Sequence, residues 1–239
     1  KTTTDSKEYS DLWIPFLRSF AAHQKEKGWF DRTVIAMDER ALDAMQDAYR
    51  IAQEAAPGIK MSLAGNYHKE LVDKIYDYCI AWKQQFTPDD LALRNSKGWI
   101  STSYTACPDA MPNVGSNNEP IEATYLPLYC IANGFNGFLR WAWMNWTDNP
   151  MYDSRFKLFT PGDTYIVYPG NHSSRRFEHI IRGVQNVAKI ETLRKEYKQK
   201  RNQKAFQLLE DALSQFKNPT PNEAELRESI YKIESLLNK

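Results

Sequence analysis

The sequence lacks several features that would assign it to a function class at once. Its three cysteines, Cys79, Cys107 and Cys130, do not have metal-ligand spacing, and their odd number leaves at least one thiol unpaired. No stretch approaches the ~20 consecutive apolar residues that a membrane-spanning helix needs, and no glycine-rich nucleotide loop follows a predicted strand. These absences disfavour zinc chemistry, a membrane span and a nucleotide-binding fold. We interpret the cysteines as buried structural residues.

The sequence also lacks an excess of positive or negative residues. The 239 residues include 31 lysines and arginines against 30 aspartates and glutamates, a formal net charge of +1. No global field would therefore attract nucleic acid or an anionic membrane. Aromatic residues, in contrast, make up 13% of the chain, with seven tryptophans and thirteen tyrosines. Flat aromatic faces suit protein cores and the apolar faces of sugar rings equally well, so the composition favours a neutral partner without identifying it.

Hydrophobic periodicity predicts five short strands that alternate with helices. The strands are expected at Thr33–Met37, Ile59–Leu63, Tyr76–Ala81, Trp99–Tyr104 and Phe138–Trp143, and the helices at Ser10–Lys27, Arg40–Ala56, Tyr67–Lys74, Thr87–Asn95 and Ile121–Asn133. This alternation favours a parallel sheet in a barrel or a doubly wound fold. Five strands are too few to close an eight-stranded barrel. We therefore predict an α/β fold, the C-terminal part of a TIM-like (β/α)8 barrel, with an open sheet as the alternative.

Beyond Trp146 the pattern changes. A loop is expected at 147–162, an extra strand at Thr164–Tyr168 and a helix from Ser173 onward. Two apolar stripes, separated by Asn218–Pro221, then predict a C-terminal helical hairpin. The expected organisation is a partial catalytic barrel over residues 1–200 that lacks its first strands, and a helical hairpin packed on the barrel over residues 201–239.

In a parallel barrel the active site lies where strands end and loops begin, which selects a small set of side chains. Asp38 and Glu39 follow the first predicted strand and are the predicted catalytic pair. By alternation along a strand, Trp141 and Trp143 are expected on one face and Arg140 on the other. The predicted substrate-binding residues are Asn66, Tyr67, Trp82, Tyr104, Arg140, Trp141, Trp143, Asn145 and Trp146.

Two carboxylates are the usual equipment for cleaving a glycosidic bond. Neighbours on a strand point to opposite faces, so Asp38 and Glu39 cannot readily flank one bond as acid and nucleophile. If the sugar carries a 2-acetamido group, its carbonyl oxygen can attack the anomeric carbon instead. The protein then needs one acid/base and one carboxylate that orients the acetamido nitrogen. The alternative interpretation is that the pair caps the following helix, since acids are favoured at helix N-termini.

Longer patterns resemble glycoside hydrolase family 123. Trp13–Leu17, Lys27–Trp29 and Ile35–Glu39 look like the segment that leads to the catalytic strand of that family. Gly137–Trp146 is similar to its last barrel strand, and Pro161–Gly170 and Ser174–Glu178 resemble the segment that follows. The matches occur in the right order and cover roughly residues 10 to 195.

The resemblance implies an exo-acting β-N-acetylgalactosaminidase that retains configuration through an oxazoline formed by the substrate. Carried onto this sequence, it makes Glu39 the general acid/base and Asp38 the carboxylate that holds the acetamido group, and Tyr104 is the candidate partner of the acetamido carbonyl. Family members often have proline after the pair, where this chain has Arg40. A cation there could pair with the acid and impair catalysis.

The resemblance also implies a glycan substrate, no metal or organic cofactor, a secreted or periplasmic bacterial location, and continuity with an N-terminal barrel portion and a β-sandwich domain. Asp163 and Glu178 match the family pattern beyond the barrel strands, and we interpret them as structural ion-pair or capping residues. Two alternatives stay open: a non-catalytic carbohydrate-binding protein on the same scaffold, and a glycosidase of different sugar specificity.

Overall fold

The computed structural model describes residues 2–238 and divides the chain into two compact units, one up to Thr102 and one from Ser103 onward. The predicted ranges 1–200 and 201–239 include Lys1 and Lys239, which lie outside the described residues. That division stays a prediction. Within residues 2–238, no helix is both long and apolar enough to cross a membrane.

The first unit combines helices with a sheet whose first three strands are parallel. Its elements are α1 (Lys7–Glu26), β1 (Val34–Met37), α2 (Leu42–Ala55), β2 (Lys60–Gly65), β3 (Asp77–Ala81), α3 (Pro88–Ser96) and the start of β4 (Ile100–Tyr104). β1 pairs in parallel with β2, and β2 pairs in parallel with β3. The strand order in this unit is β1-β2-β3-β4. Since parallel strands run in one direction, their carboxyl ends and the loops that follow them share one edge of the sheet.

A buried arginine stabilises the edge of the sheet at which the strands begin. Arg94 of α3 donates to the carbonyl oxygens of Val72 (2.9 Å) and Ile75 (2.7 Å) and to the hydroxyl of Ser101 (2.7 Å). Burial lowers the pKa of Arg94 to about 10, and these acceptors compensate for the desolvated guanidinium. The residues involved precede β3 or lie at the start of β4, so the network fixes the amino-terminal ends of the strands.

The second unit is built around an almost completely buried helix. It contains the end of β4, α4 (Pro120–Ala132), β5 (Gly137–Leu139), α5 (Arg175–Gln199), α6 (Gln203–Ser214) and α7 (Glu223–Leu237). β5 lies beside β4. α5 crosses α4 closely at Gly183, where an added Cβ would lie 2.7 Å from the carbonyl oxygen of Thr124. α6 and α7 pack on α4 and α5. The mixed α/β class with parallel strands is confirmed, and its assignment to a TIM-like barrel stays a prediction.

The predicted helix at Tyr67–Lys74 is wrong. This segment is a loop with one 3-10 turn at Lys69–Leu71. The hydroxyl of Tyr78 donates to the carbonyl oxygen of Asn66 (2.6 Å) and accepts from the backbone N–H of His68 (2.8 Å). These bonds hold the backbone at Asn66 and His68 in a loop, and the local sequence does not reveal them.

Of the last two predicted strands, one is too long and the other is absent. β5 ends at Leu139 instead of Trp143, and Thr164–Tyr168 makes isolated bridges with other segments instead of a strand. β5 ends early because the side chain of Arg140, immediately after it, turns inward and pairs with Asp163. The alternation argument for Trp141 and Trp143 therefore does not apply, because the chain has left the strand before it reaches them.

The cysteines are all free thiols. Cys79 and Cys130 are buried as predicted, whereas Cys107 is only half-buried because it lies in the loop that follows β4. Burial raises the pKa of Cys79 to about 12, which keeps it a thiol at neutral pH.

Candidate active site

Asp38 and Glu39 lie in the loop at the carboxyl end of β1. The following helix, α2, begins only at Leu42, and its N-cap position is Ala41. The pair therefore precedes the helix terminus, and the interpretation of Asp38 and Glu39 as helix-capping acids is wrong. Asp38 Oδ1 instead accepts a hydrogen bond from the backbone N–H of Glu39 (2.9 Å).

Glu39 is held against the carboxyl end of β2. Its Oε1 accepts from the side-chain amide of Asn66 and from the backbone N–H of the same residue (3.3 Å). Its methylene groups pass over Gly65, where an added Cβ would lie 3.0 Å from Glu39 Cγ. Because β1 and β2 are neighbours in the parallel sheet, two residues 27 positions apart in sequence come into contact. The structure thus brings together Glu39 and Asn66, both predicted site residues.

Arg40 pairs with Asp38 and with the backbone beside it. Its Nη1 lies 2.5 Å from Asp38 Oδ2 and donates to the carbonyl oxygen of Glu39 (2.6 Å). The Arg40 and Asp38 side chains are 65% and 73% exposed, so water screens the pair and it contributes little to stability. The carboxylate of Asp38 stays accessible to a ligand.

Tyr67 directs its hydroxyl away from this pair and into the scaffold. The hydroxyl donates to Asp90 Oδ2 (2.8 Å), and the ring packs edge-on against Phe86. Burial, and then the hydrogen bond to Asp90, raise the pKa of Tyr67 to about 12. Burial alone raises the pKa of Asp90, but hydrogen bonds from Lys69, Tyr67 and Thr87 lower it to about 2. This arrangement favours a supporting role for the Tyr67 hydroxyl over direct contact with a sugar.

Gln84, in the loop after β3, completes the cluster of the first unit. Its Oε1 accepts from the backbone N–H of Tyr67, and its Nε2 donates to Asn66 Oδ1 (2.6 Å). Nothing in the residues around Gln84 selects it, since a glutamine in a polar loop has many possible roles. Its place after a strand was the one available signal. Trp82 precedes it and is buried, with 4% of its surface exposed.

In the second unit, Arg140 and Trp141 converge on Asp163. The guanidinium of Arg140 pairs with the Asp163 carboxylate and donates to the carbonyl oxygen of Thr105 (2.9 Å). Trp141 Nε1 donates to Asp163 Oδ2 (3.0 Å). The side chains of the ion pair are 0% and 1% exposed, which confirms the structural interpretation of Asp163. Direct contact between Arg140 and a substrate stays a prediction, which this burial does not favour.

The other predicted residues of this unit have separate environments. Trp143 packs edge-on against Phe177 of α5, and Trp146 donates from Nε1 to the carbonyl oxygen of Val167 (2.8 Å). Asn145 is exposed, and Tyr104 is half-buried at the end of β4. Sugar contacts by these four residues stay predictions.

Glu178 lies in the first turn of α5, where its carboxylate accepts from the hydroxyl of Ser173. The N-cap of α5 is Ser174, so the interpretation of Glu178 as an ion-pair or capping residue stays a prediction. Across residues 2–238, no group of three or more histidine, cysteine, aspartate or glutamate side chains is arranged to hold a metal ion.

Comparison with known proteins identifies the family. No curated protein sequence matches the chain. A solved structure of a family 123 glycoside hydrolase from Clostridium perfringens, described in connection with glycolipid glycan hydrolysis, has a similar fold, with a TM-score of 0.84 and 25% sequence identity. The match covers 100% of this chain and 45% of that one, so the chain spans less than half of its relative's length. The family model described as "Glycoside hydrolase 123, catalytic domain" matches residues 1–193. The chain therefore belongs to glycoside hydrolase family 123, and its match lies in the catalytic domain of that family.

Proposed function

We propose that this protein is a glycoside hydrolase that removes β-linked N-acetylgalactosamine, or a related N-acetylhexosamine, by a retaining, substrate-assisted mechanism. The observation that carries the proposal is the position of Asp38 and Glu39 at the carboxyl end of a parallel strand, with Glu39 oriented by Asn66. Family membership supports glycoside hydrolysis, and the Clostridium perfringens relative is described as acting on glycolipid glycans. A secreted or periplasmic location is part of the same proposal, because polysaccharides are extracellular.

In the first proposed step, the carbonyl oxygen of the 2-acetamido group attacks the anomeric carbon. The bond from that carbon to the glycosidic oxygen breaks, and Glu39 donates a proton to the departing oxygen. The product is an oxazolinium whose nitrogen keeps its proton and carries positive charge. Asp38, as an anion, accepts a hydrogen bond from that N–H and stabilises the charge.

In the second proposed step, the Glu39 carboxylate takes a proton from water as the water oxygen attacks the anomeric carbon. The bond to the acetamido oxygen breaks and the acetamido group is restored. Two inversions at one carbon leave the β configuration unchanged. Glu39 ends protonated and ready for another cycle.

Arg40 is compatible with this assignment of roles. Asp38 has to stay an anion throughout, and Arg40 pairs with Asp38. Glu39 has to carry a proton at the start, and its carboxyl group accepts from the neutral amide of Asn66. The arginine that replaces the family's proline therefore pairs with Asp38, the carboxylate whose proposed role requires a negative charge.

The proposal is tested by hydrolysis of a chromogenic β-N-acetylgalactosaminide by the full-length native protein. Glu39→Gln should lower kcat by about 10²–10⁴-fold, the usual contribution of a general acid/base. Glu70→Gln makes the same change on an exposed residue of the neighbouring loop and should leave kcat within about twofold. If the native protein turns over neither this substrate nor its glucosaminide analogue, yet still binds the sugars, it is a carbohydrate-binding protein.

Substrate assistance has a separate test. The matching β-galactoside has a hydroxyl where the acetamido group should be, and it should show no turnover because it lacks the internal nucleophile. Comparable rates on both substrates would exclude the substrate-assisted route while leaving glycosidase activity intact.

A further inference from the structure

We propose that Gln84 is a positioning residue that fixes the direction in which the Asn66 amide faces Glu39. The proposal rests on the proposed function and adds to it a residue that acts through another. Three side chains form a continuous path within the first unit: Gln84 Nε2 donates to Asn66 Oδ1 (2.6 Å), and Asn66 Nδ2 donates to Glu39 Oε1.

The direction of this path is set by a backbone group. The N–H of Tyr67 can only donate, and it donates to Gln84 Oε1. The amide of Gln84 must therefore turn its NH₂ toward Asn66, because its oxygen is already facing Tyr67. The oxygen of Asn66 then faces Gln84, and its NH₂ faces Glu39.

The environment of Asn66 supports the same orientation. Its backbone carbonyl accepts from the Tyr78 hydroxyl (2.6 Å), and its backbone N–H points to Glu39 Oε1 (3.3 Å). Asn66 itself is exposed, so without a partner on its oxygen side its amide can exchange the bond to Glu39 for bonds to water. Gln84 is half-buried and supplies that partner. A carboxylic acid held by a side chain of fixed orientation delivers its proton from a defined place.

The decisive variant is Gln84→Glu, which has nearly the same shape. The new carboxylate still accepts from Tyr67 N–H, so the loop keeps that bond. It has no N–H to give to Asn66 Oδ1, and the Asn66 amide should flip so that its NH₂ faces residue 84 and its oxygen faces Glu39. Glu39 then loses the donor to its Oε1 and faces an amide oxygen, which can take the hydrogen bond of the protonated acid in place of the departing oxygen.

We expect Gln84→Glu to lower kcat about 10- to 100-fold, the range typical of outer partners that orient a reacting group. KM should stay within about threefold, since the residue does not touch the sugar. Gln85→Glu places the same charge on the exposed neighbouring side chain and should change kcat by less than about twofold. When Asn66→Ala is already present, adding Gln84→Glu should lower kcat by less than a further factor of about two, because the residue through which Gln84 acts is gone.

Several outcomes would overturn the inference. Unchanged kcat in Gln84→Glu would show that the amide direction does not matter, and an undiminished loss in the Asn66→Ala background would show a direct charge effect on Glu39. A lower thermal midpoint with an unchanged kcat would indicate a purely structural role. If the native protein hydrolyses no glycoside, the proposed function fails by itself. The path is then tested by the ¹⁵N-labelled side-chain amide of Asn66, whose proton shifts should change in Gln84→Glu but not in Gln85→Glu.

Discussion

Two aspartate–arginine pairs of the molecule differ almost completely in exposure. Asp38 and Arg40, next to Glu39, are 73% and 65% exposed, whereas Asp163 and Arg140 are 1% and 0% exposed. In the buried pair each charge compensates for the lost hydration of the other, and the guanidinium of Arg140 also donates to the carbonyl oxygens of Thr105 and Asp163. The exposed pair gains little from its contact and can exchange it for a ligand. Burial therefore separates a carboxylate that supports structure from one that is available for chemistry.

The largest effect is expected from breaking the buried pair. Asp163→Asn keeps the shape of the side chain but leaves the Arg140 guanidinium without a compensating charge. The free energy of unfolding should fall by about 3–5 kcal/mol, measured by chemical denaturation. Asp38→Asn, the same change at the exposed pair, should lower it by less than about 1 kcal/mol. Equal losses in the two variants would contradict the comparison.

For activity, we expect the exposed pair to matter more than the buried pair. Asp38→Asn should lower kcat on the N-acetylgalactosaminide by about 10²-fold, because a neutral amide stabilises the oxazolinium far less than an anion does. Asp153 offers a matched control, since it forms an exposed pair with Arg155 at the same sequence spacing. Asp153→Asn should leave kcat within about twofold. Similar losses in both aspartate variants would argue against a specific role for Asp38.

Asp90 provides a buried carboxylate whose contribution depends on pH. Its pKa of about 2 in the folded protein lies below the ordinary value of 3.8, so its stabilisation is complete above pH ~4 and is lost as the pH falls toward 2. Asp90→Asn should cost about 2 kcal/mol of unfolding free energy at pH 7. Denaturation curves at pH 7, 5, 3.5 and 2.5 should show this difference shrinking below pH ~4. A constant difference would assign the effect to shape instead of charge.

The smallest effect is expected at Arg40. An exposed pair worth at most about 1 kcal/mol limits the change in kcat for Arg40→Gln to about fivefold in either direction. Steady-state kinetics at low and moderate salt measure it. An increase of tenfold or more would mean that the arginine impairs catalysis, and that its contact with Asp38 is stronger than its exposure implies.

The sequence predicts the position of Asp38 and Glu39 because its signal is local. A short apolar run followed by Asp38 and Glu39 places both at a strand end, and parallel alternation places Asn66 at the neighbouring end. Gln84 could not be predicted, because its role depends on the backbone N–H of Tyr67 and on a loop held by Tyr78. The predicted strand Phe138–Trp143 is too long for the same reason. The inward turn of Arg140 that ends β5 depends on Asp163, 23 residues away. Local periodicity contains no information about such distant partners.

The central claim, that Glu39 protonates the departing oxygen, is tested most directly by changing the leaving group. Glu39→Gln is compared with the native protein by kcat/KM on the dinitrophenyl and the methyl glycosides of β-N-acetylgalactosamine. Dinitrophenolate leaves readily as an anion and needs little help from an acid. The factor by which Glu39→Gln lowers kcat/KM should therefore be at least about tenfold smaller on the dinitrophenyl glycoside than on the methyl glycoside. Equal losses on the two substrates would show that Glu39 does not act as the general acid.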